Sequence, residues 1–338
     1  GYSQRYSLSV SGGVKTVKYY LSGGYTNTKG LYSNVSRDRF NYSAKVDAEL
    51  AKGLSASVNL NGSVSTNKNS SYTTLDAAYS FAPTQVLRFT DGSLASIGGT
   101  NPLINVEGLG GYNKLSSDYH TLDAQLTYKI PGVDGLKAYL KGTLDLNHQN
   151  NSSFYKPVTL YNYDQATGDI EVDTRTIYPN AKITYSDKWI SVKNSLVELG
   201  VNYNHVFAEK HDVTALVVAN YQEITNKLLD AKNPNLSGNY PEGIGNTNAG
   251  TLVGKESFSQ RLSLVGRATY GFSSRYFAEF SFRVDGSTRF EPSNRWGFFP
   301  TLSASWVISN EDFFENLGTD VISYAKQRGS VGILGDDG

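Results

Sequence analysis

The chain has 338 residues, room for one large domain or two ordinary ones, with 31 basic and 31 acidic residues. That balance argues against a nucleic-acid binder, which carries a basic excess. The absence of cysteine removes disulfides, thiolate zinc sites and thiol nucleophiles from consideration.

The predicted elements are strands, and they come in pairs. Tyr6, Leu8 and Val10 alternate with Ser7, Ser9 and Ser11, and after a turn at 12–16 Val17, Tyr19, Leu21, Gly23 and Tyr25 alternate with Lys18, Tyr20, Ser22 and Gly24. A period of two gives each strand one apolar and one polar face. A loop is expected over 27–38. Phe40, Tyr42, Ala44 and Val46 then form the apolar face of a third strand, and Leu54, Ala56, Val58, Leu60 and Val64 that of a fourth. The segment 66–118 breaks the pattern and is read as a long loop, rich in Asn, Ser, Thr and Gly and holding Pro83 and Pro102. Pairing resumes at Leu122–Tyr128, turns at Pro131-Gly132-Val133-Asp134-Gly135 and returns through Leu136–Leu146. A second long loop is expected at 149–193, with a small hairpin inside it over 161–172. The strands 196–207 and 213–225 follow, then a third long loop at 226–256, then 258–272 and 276–285. The stretch RVDGSTRFEPSNRWGFFPTLSASW reads as two strands around a tight polar loop, and a last strand is expected over 322–332.

About twelve strands of about ten residues or more, joined alternately by short turns and mostly by long loops, are the layout of an outer-membrane β-barrel. Aromatic residues gather at both strand ends, Tyr128, Tyr270, Tyr276 and Trp306 by short turns and Tyr25, Phe40 and Phe258 by long ones, as rings at headgroup depth do. A soluble β-sandwich alternates too, but its outer face carries more charge than an 18% charged chain supplies. The chain opens in mid-strand and closes just after another, and so reads as an internal piece of a larger protein.

Chemistry-bearing patterns are sparse. The four histidines, His120, His148, His205 and His211, do not cluster as metal ligands do. Gly250 to Lys255 (GTLVGK) is one residue short of a phosphate-binding loop and precedes a strand. Asp164, Asp169 and Glu171 fit the tip of a solvated hairpin better than a calcium loop. No catalytic constellation and no cofactor site emerges. The loop aromatics Tyr72, Phe81, Phe89, Tyr112, Tyr155, Tyr161, Tyr163 and Trp189 sit among amides and carboxylates, a setting that suits sugar rings or peptides. The same rings also serve to pack loops against each other or against a partner.

Four stretches carry a resemblance: DGSTRFEPSNRWGFFPTLSASWVISNEDFF, QRGSVGILG, YSLSVSGGVKTVKYYLSGGYTNTKG and HVFAEKHDVTALVVANYQE. Their sequence and order resemble the SusC/RagA family of TonB-dependent outer-membrane transporters of Bacteroidetes, over essentially the whole chain; Val331 stands where the family commonly has an aromatic residue. The resemblance implies an all-β, antiparallel transmembrane segment. It supplies about twelve strands of a barrel of about 22, and residues 1–338 lack the plug domain and the remaining strands. It implies active import of oligosaccharides or peptides, a SusD-like surface lipoprotein, TonB acting through parts outside this segment, a lipid bilayer around the wall, and a dimer of transporter–lipoprotein pairs. An enzyme is not expected. A passive porin and a structural or adhesive surface barrel remain the alternatives.

Overall fold

The computed structural model describes residues 1–32, 34–70, 81–174, 182–236, 250–315 and 322–335. Among these residues fourteen strands are present: β1 Tyr2–Gly13, β2 Val17–Lys29, β3 Ser36–Ala51, β4 Leu54–Ser70, β5 Gly111–Lys129, β6 Leu136–Tyr155, β7 Tyr161–Tyr163, β8 Ile170–Val172, β9 Thr184–Phe207, β10 His211–Asn233, β11 Thr251–Phe272, β12 Tyr276–Ser287, β13 Trp296–Val307 and β14 Lys326–Gly332. Twelve of them form one antiparallel meander in chain order, with β7 and β8 paired as a separate small hairpin between β6 and β9.

The register shows why this sheet is a tilted wall. The rung through Leu54, the first residue of β4, runs through Tyr128, Ala138, Val201, Val217 and Gly266 to Phe282. Phe282 lies six residues past the start of β12 at Tyr276. The strands therefore slip by about one residue per step. Six residues at ~3.3 Å, set against six inter-strand spacings of ~4.8 Å, give a tilt of about 35°. Membrane barrels tilt their strands by about 35–45°.

The outward face of the long strands carries mainly apolar side chains over about eleven residues: Leu54 to Val64 in β4, His211 to Tyr221 in β10, Leu262 to Phe272 in β11. At a 35° tilt that length rises about 27 Å, close to the ~25 Å apolar band of such walls. Leu60, Leu122, Leu140, Leu199 and Val217 are exposed along it, which in water would be an aggregation surface and in lipid is the solvated state. Aromatic rings mark both borders. Tyr6, Tyr25 and Phe40 share one upper rung. At the lower border the rings of Tyr276 and Trp306 stack with 6.5 Å between centroids. Tyr42 reaches across Gly62 to place its hydroxyl 2.7 Å from His120 Nδ1. A Cβ on Gly62 would come within 2.3 Å of that ring.

The inward face is polar and cross-linked. Asp123 accepts from Thr143 Oγ1 at 2.7 Å, Asp145 from Thr121 Oγ1 at 2.7 Å and Asn194 Nδ2 at 3.0 Å, and Asn194 Oδ1 from Gln222 Nε2 at 3.0 Å. This chain of bonds ties β5, β6, β9 and β10 across their inward sides.

The long loops are shorter than expected. The segments 66–118, 149–193 and 226–256 were each expected to be loop, the second around the 161–172 hairpin, yet β4 continues to Ser70, β5 begins at Gly111, β6 runs to Tyr155, β9 begins at Thr184, β10 runs to Asn233 and β11 begins at Thr251. The reason is physical. Above the bilayer neither face meets lipid, so the sequence loses its apolar alternation while the backbone ladder goes on. In β10, Glu223, Thr225 and Lys227 continue the outward face that Val217 and Tyr221 occupy below. Five strands, β5, β6, β9, β10 and β11, thus form a tall wall, and β9 is 24 residues long. GTLVGK lies mostly within β11 and not ahead of it. The last strand starts at Lys326 instead of residue 322.

The other end is trimmed. The β9–β10 and β11–β12 turns place Ala208, Glu209, Ser273 and Ser274 at φ of 48°, 58°, 51° and 53°. Two consecutive positive-φ residues make a type I′ turn, whose twist matches the flanking strands.

Candidate functional site

Two surfaces stand at the elaborated end. The first is a platform made from the two longest connections. Residues 81–110 and 156–174 meet around Leu94, Ile104 and Leu160, all almost fully buried, with Leu103, Leu109 and Val158 packed against them. The small hairpin β7–β8 docks by backbone: Tyr161 N donates to Leu94 O at 2.9 Å and Ser96 N to Tyr161 O at 2.7 Å. Asn101, 1% exposed, serves as the internal clasp. Its Nδ2 donates to Leu87 O and Ala95 O at 2.7 and 2.9 Å, and its Oδ1 accepts from Leu103 N at 2.9 Å. One side chain thus ties together three backbone groups, of which Leu87 O also accepts from Ala95 N at 3.1 Å. Arg88 clamps Glu107 through two bonds of 2.8 and 2.7 Å, and Ser96 Oγ donates to the buried Asp173. Asn34, from the β2–β3 connection, donates to Asn105 O at 2.9 Å. Asp91 is held below the usual carboxylate range by the hydroxyl and then the backbone N–H of Ser93.

The aromatic candidates fall into separate places. Phe81 and Phe89 are half-buried in the platform. Tyr161 carries the hairpin's docking bonds, whereas Tyr163 is 55% exposed beside it. Tyr112 and Tyr155 lie in strands, not loops. Tyr112, Phe154 and Tyr185 share an outward rung above the bilayer, and Tyr112 packs on the buried cluster of Phe154, Tyr185 and Leu236. Trp189 is also a strand residue, outward on β9, with its Nε1 donating to Asp187 at 2.9 Å. Tyr72 lies outside the described residues. Among the described residues the candidate rings stand in separate places, and Tyr163 is the one most open to solvent on the platform. The hairpin tip is closed by Asp164, whose Oδ1 accepts from Ala166 N at 2.8 Å and whose carbonyl accepts from Gly168 N at 2.9 Å.

The second surface is a recess on the inward face at the top of the β12–β13 hairpin, about 650 Å³, lined by Arg261, Arg283, Asp285, Phe299 and Ile333 among others. Arg283 Nε donates to Asp285, and its guanidinium also reaches Ser263 Oγ at 3.4 Å. The loop above it is pinned where Thr288 N donates to Gln260 O at 3.0 Å and Arg295 Nε to Phe290 O at 3.2 Å. The DGSTRFEPSNRWGFF stretch thus builds a short, fixed corner carrying guanidinium, carboxylate and ring side by side. That set offers charged and aromatic contacts to a polar ligand.

Sequence reasoning missed the platform core. Leu94 stands in polar sequence and Leu103-Ile104 and Leu160 in short stretches without a period of two, and only Asn101-Pro102 ahead of the short helical turn Leu103–Val106 signals order there.

No family model matches the chain. Among curated proteins it is 26% identical over 345 residues to TonB-dependent receptor P39 of Formosa agariphila, covering 100% of this chain and 31% of that protein. It is 24% identical over 365 residues to TonB-dependent receptor SusC of Bacteroides thetaiotaomicron, covering 98% and 34%. Among solved structures, the RagAB peptide transporter superposes with a TM-score of 0.70 at 18% identity, over 98% of this chain and 36% of that one. The ferripyoverdine receptor of the outer membrane of Pseudomonas aeruginosa gives 0.55 at 13%, over 90% and 38%. The chain spans about a third of the length of the curated relatives it matches. The likeness is to SusC/RagA-type TonB-dependent receptors, and the fold is theirs: twelve strands of an outer-membrane barrel wall.

Proposed function

We propose that this segment forms wall and extracellular platform of a TonB-dependent importer of oligosaccharides or peptides, working with a SusD-like surface lipoprotein. The observation that carries the reading is the asymmetry of the two ends. One end is cut to turns as short as Phe207–His211, while the other rises as a five-stranded wall topped by a platform with its own buried core. Ordering about fifty residues of these connections costs conformational entropy, and a plain pore has little use for it. A preformed platform, in contrast, lowers the cost of binding a lid over the mouth. Similarity to a TonB-dependent receptor, SusC, and to a peptide transporter, RagAB, supports importing as the activity. The segment acts as a binding and guiding surface and not as an enzyme, with TonB engaging other parts of the whole protein.

The test replaces residues 82–109 by a short linker in the intact protein. The barrel should still insert, while lipoprotein co-purification and energised uptake of a glycan or peptide both fall. Unchanged lid binding and uptake would remove the platform's role, and uptake that persists without TonB would make the protein a passive porin.

A further inference from the structure

The tall wall ends abruptly. Strand β11 continues up to Thr251 against β10, but β12 leaves it at Ser287, opposite Arg261. The stretch 251–259 therefore has a ladder on one side only, among the described residues. On that side β12 is the neighbour in the sheet, and it turns away through its own pinned hairpin.

The direction of the backbone groups follows from that pin. Gln260 N donates to Thr288 Oγ1 at 2.8 Å and Gln260 O accepts from Thr288 N at 3.0 Å, so residue 260 points toward β12. Backbone groups alternate along a strand. Phe258, Glu256, Gly254 and Leu252 thus aim both N–H and C=O at the open side, while the odd residues bond to β10. The result is a vertical row of four donor–acceptor pairs about 20 Å long, above the lipid band. Leu252 and Phe258, 71% and 67% exposed, flank it on the outward face; Lys255 stands on the inward face. Gly254 lies between them in open space. Proline, bulges and short length blunt many such edges and are absent over 251–259; the charges Lys255 and Glu256, the latter paired with Lys227, are the guarding features it does carry.

We infer that this edge takes an extended segment of the surface partner by strand addition, its alternate apolar residues beside Leu252 and Phe258 and an acidic residue facing Lys255. The repeat of the row fits an extended polypeptide backbone. A second copy of this chain does not fit. Two barrels in one membrane are related about the membrane normal, so two strands tilted by about 35° would cross at about 70° and share no ladder. Lys255 would also meet Lys255. Cargo fits poorly because the apolar anchors face away from the lumen. The inference rests on the proposed partner, and its test is separable from that reading.

The intact transporter is compared with and without its co-purifying lipoprotein by residue-resolved amide hydrogen exchange. The amides of Leu252, Gly254, Glu256 and Phe258 should exchange at least about tenfold more slowly in the complex, with those of Val253, Lys255 and Ser257 protected in both states. Gly254→Pro removes one outward N–H and no bond to β10, a change an edge strand tolerates. It should weaken lipoprotein retention about tenfold while the barrel stays folded; Gly254→Ala should not. Equal exchange of the even amides in both states, or their protection in the transporter alone, overturns the inference and leaves the importer reading standing. Protection produced by a free extended heptapeptide of alternating Thr and Val, but not by the lipoprotein, overturns the choice of partner. If no lipoprotein co-purifies and uptake needs none, both readings fall.

Discussion

Leu60 and Asn59 are adjacent in β4 and face opposite media, so exchanging each for arginine tests the register directly. Leu60 sits near the middle of the outward band from Leu54 to Val64, 36% exposed and on one rung with Leu122 and Leu144. An arginine there stands at the bilayer midplane, at a cost of about 2–4 kcal/mol. At about 1.4 kcal/mol per decade, that is about 30- to 700-fold in the folded-to-unfolded ratio. Asn59 points inward, 3.4 Å from Asp123 Oδ2, and Lys141 already stands 3.9 Å from that carboxylate's other oxygen. An arginine at 59 meets water and a carboxylate, so the expected cost is under about 1 kcal/mol. The assay is the folded, heat-modifiable fraction of the intact protein in outer membranes, followed by urea unfolding in lipid vesicles. Leu60→Arg should deplete the folded band and Asn59→Arg should retain it. Equal tolerance, or greater damage from Asn59→Arg, would refute the assignment of faces.

Gly62→Val should displace the Tyr42 ring and break its bond to His120, destabilising by about 1–3 kcal/mol; Gly23→Ala, with open space around it, should not, and thermal unfolding in detergent separates the two. Replacing Ala208-Glu209 by Asn-Gly should stabilise the β9–β10 hairpin by about 1 kcal/mol, because both positions hold positive φ that Asn and Gly adopt at lower cost, and a slower unfolding rate in urea would register it. Below the bilayer, Glu311 accepts from the Tyr276 hydroxyl, then from Trp306 Nε1, and pairs with Arg275, which together hold it below the ordinary carboxylate range. A depressed folded value means the stabilisation is present above the unfolded value and is lost as pH falls through the folded one. Acidification should therefore loosen the 308–315 connection, visible as a change in Trp306 emission that Glu311→Gln abolishes.

The strands inside the lipid band were legible because lipid on one side and water on the other impose a period of two. Leu54 to Ser65 displays its faces residue by residue, and the girdle at Tyr276 and Trp306 follows from the same two-solvent rule. The short turns, the alternation of trimmed and elaborated ends and the 161–172 hairpin were equally local. Where that rule stops, so did the reading. The upper halves of β9, β10 and β11 are strands because neighbouring backbones are there to bond, not because their side chains alternate, so 184–193, 226–233 and 251–256 looked like loop. The platform joins Leu94 and Ile104 to Leu160 across more than fifty residues of sequence, a contact that no local pattern encodes. Trp189 and Tyr112 were read as rings of a ligand-facing loop, and only the register turns them to the outward face. The open edge of β11 exists solely because β12 is shorter than its neighbour, a difference in length between two strands that becomes a surface only once they are paired.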